Sequence, residues 1–582
     1  MGYTTCRNIQ ILLGVLKGHN IRKIIISPGT TNLMLVGSVQ DDPWFECYSA
    51  PDERSAAYMA CGMAAESGEP VCLSCTGATA SRNYYPGMTE AYYRKLPVLA
   101  ITSLIDDVMP GMNIPQVLDR TVLANDTYVY NVSLPAVRSD SDVWKCNLKA
   151  NEAVLALFKD GGGPVHVQLP AVFSKDFSLQ ELPPTRIIHR YTMFDKIPEI
   201  PADKKVGIFV GEHAPWTKEL TDAVNSFCRK YDAIVLCDHT SNYQGPFRID
   251  EAILGAQKML DRKKYYFDIL IDIGGVTGNY YHINGRETWR VSPDGRLSDR
   301  FRNMHYDFYM PEKEFFEKYV NEFDTPETRN TAASEYMRAV RALLDTIPEI
   351  PFSHVWIAQK YADKLPKNSH LFLGILHSLR AWNFFPVDSS IECFSNVGGF
   401  GIDGGTSTML GAALVHPDQL YFLMVGDLAF FYDMNVLGNR HWGKNCRILL
   451  VNNGRGTEFR NYSHPAQQIF STEADRFMAA AGHYGSGSRT LVKHYAEDLG
   501  FKYLAAASKE DFIKVADEFF DEKMSEQPML LEAFTTPENE SDALKAVCEI
   551  EKGTLKIQVK KAIAAGLGEK NTKIIKKIIH RG

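Results

Sequence analysis

The sequence predicts an α/β protein with three doubly wound parallel-sheet domains, and two observations lead to this class. Short apolar runs typical of buried parallel strands, such as Ile24, Ile25 and Ile26, alternate with helical patterns along most of the chain. At 582 residues the chain is also too long for one hydrophobic core. Domains of roughly 150–200 residues make three the natural number.

Composition and apolar runs suggest where these domains begin and end. We expect domains at residues 1–175, 190–345 and 351–545, followed by a tail at 546–582. A proline- and charge-rich stretch at 173–203 is predicted to be a linker, and Pro348 and Pro351 mark a second one. The tail interleaves isoleucines with lysines, as in a basic amphipathic helix. The tail has two alternative roles: it packs on the protein itself, or it binds a membrane or an acidic partner.

The composition excludes several classes of protein. The hydrophobic fraction of 45% and charged fraction of 23% are ordinary for a soluble globular protein, and a net charge of −7 gives no reason to expect nucleic acid. No apolar run approaches the roughly 18 residues of a membrane span, and the amino terminus lacks a signal-peptide pattern. Eleven scattered cysteines without metal-ligand spacing fit reduced thiols. We therefore expect a cytoplasmic protein.

Two apolar runs in the last third end in polar residues that suit a metal ion. The run at 420–425 ends in Gly426 and Asp427, and the run at 448–451 ends in Asn452 and Asn453. If these are adjacent parallel strands, Asp427 and Asn453 lie side by side at their carboxyl ends, where α/β sheets bind ligands. A carboxylate, an amide oxygen and backbone carbonyls suit Mg²⁺ that shares its shell with phosphate. Ordinary turns contain the same residues, so that alternative stays open here.

Further motifs carry a resemblance to a known family. They are Ser27-Pro28-Gly29-Thr30-Thr31-Asn32, Asp52-Glu53-Arg54-Ser55-Ala56, Cys75-Thr76-Gly77-Ala78-Thr79-Ala80, Asn83-Tyr84-Tyr85-Pro86 and Phe394-Ser395-Asn396. With the Gly426-Asp427 and Asn452-Asn453 pairs, their order resembles the thiamine-diphosphate (ThDP) enzymes of the decarboxylase and acetolactate-synthase superfamily. Within it they are most similar to the menaquinone-pathway succinyl-enolpyruvyl-hydroxycyclohexene-carboxylate synthases. The resemblance extends to about residue 540 and implies pyrimidine, central and diphosphate domains.

The resemblance implies a ThDP and Mg²⁺ site. Glu53 would be the acid that hydrogen-bonds the aminopyrimidine and drives the tautomer that deprotonates thiazolium C2. Asp427 and Asn453 would bind Mg²⁺ through their side chains and Arg455 through its carbonyl oxygen. The other implied cofactor contacts are Gly77, Gly426, the amides of Leu428 and Ala429 at the diphosphate, Ile402 as a wedge and Phe459 beside the thiazolium. The alternatives are a surface glutamate for Glu53 and a core residue for Ile402.

The family's substrate residues are only partly present. Thr31, Val397 and the segment at 103–106 stand where the family has arginines that bind carboxylates. Their absence favours a less acidic substrate pair. The resemblance places Gln116 opposite the reactive carbon and Arg380 on a carboxylate or phosphate. Further pocket candidates, each with a merely solvated polar residue as its alternative, are Thr30, Thr31, His377, Glu458 and Arg460.

The predicted function is a ThDP- and Mg²⁺-dependent enzyme that decarboxylates a 2-oxo acid and transfers the acyl carbanion to an acceptor, as a carboligase or transferase. A simple decarboxylase (a lyase) is the first alternative, and a ThDP-fold subunit without catalysis is the second. The resemblance also implies a homodimer or homotetramer, because in the family Glu53 and Asp427 of one site come from different chains.

Overall fold

The computed structural model describes residues 2–104, 109–120, 122–170, 172–258, 262–324, 332–481 and 484–550. It divides into two compact units. Unit 1 comprises Met1–Ile197 and Thr288–Met310, and unit 2 comprises Pro198–Glu287 and Pro311–Gly582. None of the helices in the described ranges has the length and apolarity needed to cross a membrane.

The amino-terminal part of unit 1 is a parallel sheet covered by helices. Its elements are α1 (Arg7–Gly18), β1 (Lys23–Ile26), α2 (Leu33–Val39), β2 (Glu46–Ser49), α3 (Glu53–Ser67), β3 (Val71–Cys75), α4 (Thr79–Asn83), α5 (Tyr85–Tyr93), β4 (Val98–Leu104), β5 (Tyr130–Ser133), α6 (Asp140–Ala156) and β6 (Val165–Pro170). The strand order is β2-β1-β3-β4-β6-β5, and every pair is parallel. Two apolar clusters occupy its two faces, which is why β3 and β4 are buried along almost their whole length and mostly apolar.

The central strands are also parallel and are divided between the units. The elements are β7 (His189–Thr192), β8 (Val206–Val210), α7 (Lys218–Tyr231), β9 (Ile234–Cys237), β10 (Arg248–Asp250), α8 (Ala252–Gly255), α9 (Arg262–Tyr265), β11 (Phe267–Ile273), β12 (Gly285–Ser292), β13 (Met304–Tyr309), α10 (Glu312–Glu322) and α11 (Ala332–Asp345). Unit 2 contains the order β10-β9-β8-β11, and unit 1 contains β12-β13-β7.

The stretch predicted to be a linker contains strand β7, which pairs with β13. Calling the whole of 173–203 a linker was therefore wrong at these four residues. His189, Arg190, Tyr191 and Thr192 are partly exposed and form no apolar run, so the sequence carries no strand signal there.

The carboxyl-terminal part of unit 2 is a third parallel sheet. Its elements are α12 (His354–Tyr361), β14 (His370–Leu373), α13 (His377–Trp382), β15 (Glu392–Phe394), α14 (Gly405–Ala413), β16 (Tyr421–Gly426), α15 (Asp427–Asp433), β17 (Cys446–Asn452), α16 (Pro465–Phe470), α17 (Leu491–Asp498), β18 (Lys502–Ala506), α18 (Lys509–Phe519), β19 (Met529–Phe534) and α19 (Pro537–Cys548). The order β15-β14-β16-β17-β19-β18 repeats the pattern of the first sheet.

The predicted class, α/β with three parallel sheets, is confirmed. The matching strand orders also show that the first and third sheets share a topology, which the sequence left open. The predicted domain boundaries stay predictions. Residues 551–582, which hold most of the basic tail, lie outside the described residues, as do Ile105 and Asp106.

Candidate active site

Asp427 and Asn453 come together at one edge of the third sheet. Strands β16 and β17 are parallel neighbours, with Gly426 opposite Val451. Both strands are almost fully buried. Asp427 is the first residue of α15, and Asn453 directly follows β17. The adjacency that the strand-end pattern predicts is therefore present.

Asp427 is a buried carboxylate whose described partners are backbone amides. Asp427 is only 2% exposed. Oδ1 accepts a hydrogen bond from its neighbour Leu428 N at 2.7 Å, and Oδ2 accepts one from Gly454 N at 2.7 Å. Burial raises the pKa of this carboxyl from near 3.8 to about 7, and the hydrogen bonds from the backbone amides offset this only in part. A dication would remove that penalty.

Asn453 and Arg455 present two further oxygens beside Asp427. Asn453 Oδ1 accepts hydrogen bonds from Thr457 Oγ1 at 2.5 Å and from Arg455 N at 3.3 Å. The Thr457 hydroxyl is also 3.4 Å from the Arg455 carbonyl oxygen. The side chain of Arg455 forms an ion pair with Asp475, so arginine is compatible with a role for its backbone. Arg460 also pairs with Asp475, at 2.8 Å.

The oxygen set and its surroundings fit Mg²⁺ and a diphosphate. One carboxylate, one amide oxygen and one carbonyl leave room for phosphate oxygens in an octahedral shell. A side chain added at Gly426 would meet nothing within 4 Å, so the protein leaves open space beside the sheet edge. The left-handed backbone at Gly454 (φ 87°) turns the chain back toward Asp427. The metal assignment remains a prediction.

Ile402 and Ala429 line the same cavity in unit 2. Its wall also includes Gly374, Ser395 and Asn396. The Ser395 hydroxyl is buried without a partner in the described part of the chain, which is the condition of a group that binds a ligand. Phe459, by contrast, is 37% exposed and packs edge-on against His464. Ile402 therefore lines this cavity and Phe459 is not part of its wall, and the wedge role of Ile402 stays a prediction.

Glu53 lies in unit 1 at the first position of α3. Asp52 caps this helix, because its side chain accepts a hydrogen bond from Ser55 N at 3.0 Å. Glu53 is half-buried, and its Oε2 accepts a hydrogen bond from Asn83 Nδ2 at 3.2 Å. The catalytic role of Glu53 stays a prediction.

The turn with Thr30 and Thr31 follows β1 and is built around Asn32. The Asn32 amide donates to Ser27 O and Ser74 Oγ, both at 3.1 Å. Thr30 is exposed, whereas Thr31 Oγ1 is buried with no described partner and lines a small cavity. This leaves the Thr31 hydroxyl free to bind a ligand.

Gly77 is tightly constrained by its neighbours, whereas Gln116 is exposed. A side chain at Gly77 would lie 2.2 Å from Ser103 O, so only glycine fits between β3 and β4 there. Gln116 is exposed in a loop with left-handed backbone (φ 66°), and the described hydrogen bonds do not join it to Glu53. Its predicted position opposite the reactive carbon stays a prediction.

Arg380 and Glu458, both predicted substrate residues, bind each other. Arg380 Nη1 and Nη2 donate to Glu458 Oε2 and Oε1 at 2.7 and 3.0 Å. The guanidinium also lies over the Tyr280 ring, 5.0 Å from its centre. Burial opposes ionisation of Glu458, but Arg380 outweighs it and holds the pKa of this carboxyl below its usual value. This bidentate pair already satisfies the charge that a substrate anion would use.

His377 is held by a second buried carboxylate. Its Nε2 bonds Glu540 Oε2 at 2.8 Å, and Glu540 is fully buried on α19. Glu540 also accepts from His354 N at 3.0 Å and Thr535 Oγ1 at 2.7 Å. Burial disfavours the charge on Glu540, yet the hydrogen bond from His377 outweighs it and the pKa lies below its usual value.

We expect Glu540→Gln to lower the free energy of unfolding by about 1–3 kcal/mol, since the new amide NH₂ would face a donor. The lowered pKa means that ionised Glu540 stabilises the fold above the unfolded pKa near 4.5, and this is lost as pH falls below it. In urea unfolding, the difference in free energy of unfolding between the wild type and Glu540→Gln should therefore be smaller at pH 4 than at pH 7. Glu538→Gln, an exposed position on the same helix, is the control, and equal urea midpoints for both variants would contradict the prediction.

Three contacts were not assigned from sequence. Asn83 was part of a quoted motif without an assigned role, and the structure shows that it donates a hydrogen bond to Glu53. Ser395 was also part of a quoted motif without an assigned role, and Thr457 carries no local signal, since a threonine in a turn is common. Only their packing against Asn453 and in the Ile402 cavity distinguishes them.

Comparison with known proteins agrees with this geometry. Residues 8–121 match the family model described as thiamine pyrophosphate enzyme, N-terminal TPP binding domain. The 2-succinyl-5-enolpyruvyl-6-hydroxy-3-cyclohexene-1-carboxylate synthase of Bacteroides thetaiotaomicron is 30% identical over 571 residues, 93% of this chain and 98% of that protein. The synthases of the same name from Bacteroides fragilis and Phocaeicola vulgatus are 29% identical with the same coverage. Among solved structures, the ThDP-dependent 4-hydroxybenzoylformate decarboxylase of Rhodococcus jostii RHA1 aligns with a TM-score of 0.41 and 16% identity, over 91% of this chain and 99% of that one.

The family match, together with three parallel sheets, defines a ThDP-dependent enzyme of the decarboxylase and synthase superfamily. Within this superfamily, the chain belongs to the family of the 2-succinyl-5-enolpyruvyl-6-hydroxy-3-cyclohexene-1-carboxylate synthases.

Proposed function

We propose that this protein uses ThDP and Mg²⁺ to decarboxylate a 2-oxo acid and to transfer the resulting acyl carbanion to an acceptor. The observation that carries the proposal is that Asp427 and Asn453 follow the neighbouring ends of β16 and β17, with Gly454 N bonded to Asp427 and Arg455 N bonded to Asn453. When bound, ThDP supplies the electron sink that stabilises the carbanion left by loss of CO₂.

The protein's own residues would supply binding and proton control. Asp427, Asn453 and the Arg455 carbonyl would hold Mg²⁺, which carries the diphosphate. Ile402 and Ala429 would line the cofactor cavity. Glu53 would share a proton with the aminopyrimidine ring nitrogen and so set its tautomer.

The substrate pair proposed here is less acidic than the reactants of an enzyme with a full set of carboxylate-binding arginines. Thr31 and Val397 are neutral at two of those positions, and Arg380 is already paired with Glu458. A decarboxylase that only protonates its product is the second candidate. The buried Arg380–Glu458 pair favours it, since it leaves less cationic surface for a second acidic substrate.

The proposed enzyme is a homodimer or homotetramer. Its proposed location is the cytoplasm. The resemblance supports the oligomer, because in the family the residues that correspond to Glu53 and Asp427 of one site come from different chains. Each proposed site would then combine two half-sites, that of Glu53 and that of Asp427, from two copies of the chain.

The test is a calorimetric titration of the purified protein with ThDP, with and without Mg²⁺, followed by assay of CO₂ release from a panel of 2-oxo acids. We expect Mg²⁺-dependent binding and CO₂ release from one donor. Product analysis with and without an aldehyde acceptor then separates the two candidates, because a carboligase forms a new carbon–carbon bond only when the acceptor is present. A protein that binds no ThDP would refute the proposal.

A further inference from the structure

Arg120 is a buried cation whose described partners are all neutral. It is 4% exposed, and it ties its loop to the end of β4. Nη1 donates to Thr102 Oγ1 at 2.5 Å, and Nη2 donates to Ser103 O at 2.6 Å. Its Nε is buried and has no partner in the described residues. A guanidinium that lacks an anion in such a place carries a large desolvation cost.

Arg82, on α4, is a second arginine with neutral partners at the same place. Its Nη1 donates to the Tyr85 hydroxyl, and its Nη2 donates to Asp119 O at 3.0 Å. Asp119 directly precedes Arg120, so this bond places the two guanidinium groups near each other. Within the described ranges neither forms an ion pair. Burial lowers the pKa of Arg120, and the charge of Arg82 lowers it further.

The groups packed around the two arginines do not compensate their charge. Thr102 Oγ1 also bonds His166 Nε2 at 2.7 Å, and Tyr128 stacks on the His166 ring at 5.0 Å. Burial, followed by the charges of Arg120 and Arg82, lowers the pKa of His166 to about 3. His166 is therefore neutral at pH 7. The network holds two positive charges and, among the described residues, no carboxylate that pairs with them.

The two arginines lie in the half-site of Glu53. Arg82 directly precedes Asn83, which donates to Glu53 at 3.2 Å. Arg120 Nη2 lies 3.3 Å from where a side chain would begin at Gly77. An anion bound by Arg82 and Arg120 would therefore lie beside the group that controls the cofactor's proton.

We propose that Arg82 and Arg120 bind the carboxylate of the 2-oxo acid substrate. This inference rests on the proposed function and names the residues that recognise the donor. A carboxylate would bind both Arg120 Nε and the positive charge, which have no partner among the described residues, through charge-assisted hydrogen bonds. A purely structural role for Arg120 accounts for its bonds to Thr102 and Ser103. It does not explain why its Nε and its charge have no partner among the described residues. The pair would supply the cationic surface that is missing at Thr31 and Val397.

The test uses unreactive carboxylate isosteres of 2-oxo acids, so binding is measured without turnover. Oxamate and N-oxalylglycine are titrated calorimetrically into the full-length protein after ThDP and Mg²⁺ have been added and their binding measured. Ethyl oxamate serves as the neutral probe. The variants are Arg82→Gln, Arg120→Lys and Arg120→Gln. Arg94→Gln is the matched control, because Arg94 is exposed and pairs with Glu90 on α5 of the same unit.

We expect saturable binding of at least one isostere to the wild type and to Arg94→Gln, and no binding of ethyl oxamate. Arg82→Gln should weaken binding about ten- to hundredfold with ThDP affinity unchanged, and Arg120→Lys should retain part of it. If Arg120→Gln does not fold, the other two variants still decide. Unchanged isostere affinity in Arg82→Gln and Arg120→Lys, or no isostere binding to a wild type that binds ThDP, would overturn the inference. Failure of ThDP itself to bind would instead refute the proposed function.

Discussion

Glu53→Gln should bind ThDP with nearly wild-type affinity and lose most of its activity, by a factor of about 10²–10⁴. The amide keeps the shape of the side chain and can still accept the hydrogen bond from Asn83. It cannot share a proton with the aminopyrimidine nitrogen, so deprotonation at thiazolium C2 would slow. Hydrogen–deuterium exchange at C2, followed by NMR, measures this step directly, and CO₂ release measures the whole reaction.

The control for Glu53→Gln is Glu66→Gln, an exposed glutamate on the same helix α3. It should leave both exchange and CO₂ release unchanged. Glu53 is half-buried with one neutral partner, so its replacement should change the free energy of unfolding by no more than about 1 kcal/mol. A wild-type rate of hydrogen–deuterium exchange at C2 in Glu53→Gln would refute the role assigned to this residue.

Asp427→Asn should weaken Mg²⁺-dependent ThDP binding on the order of a hundredfold, because the site loses the only negative charge among its three predicted ligands. The asparagine oxygen can accept from one of Leu428 N and Gly454 N, and the loss of the other bond should cost about 1–3 kcal/mol of stability. Calorimetric titration with ThDP at several Mg²⁺ concentrations measures the first effect. Urea unfolding measures the second.

The control for Asp427→Asn is Asp418→Asn, an exposed position in the turn before β16. A variant of Asp427 that keeps wild-type Mg²⁺ dependence would show that the metal is bound elsewhere. The two inactive variants also test the shared site. If Glu53 and Asp427 of one site come from different chains, co-expression of Glu53→Gln with Asp427→Asn should restore about a quarter of the wild-type activity. No recovery in a stable mixed dimer would place both residues in one chain.

The predictions that came true from sequence depend on local patterns. Buried parallel strands are mostly apolar, so runs such as that of β16 can be recognised in the sequence, and their alternation with helices leads to the α/β class. The neighbouring positions of Asp427 and Asn453 follow from the same rule, because polar residues that end two adjacent strands meet at one sheet edge. Strand β7 was missed because His189–Thr192 is only partly buried and has no such run.

The sequence by itself determined the α/β class, the parallel sheets and the strand-end placement of Asp427 and Asn453. Only the tertiary structure decided which charged groups pair. Arg380 and Glu458, each predicted to bind substrate, bind each other, and His377 bonds Glu540 on α19. Arg82 and Arg120, by contrast, are left with neutral partners. The physical reason is that a charged side chain has no periodicity that reveals its partner. Its partner is whichever group the packing of distant segments brings within hydrogen-bonding distance.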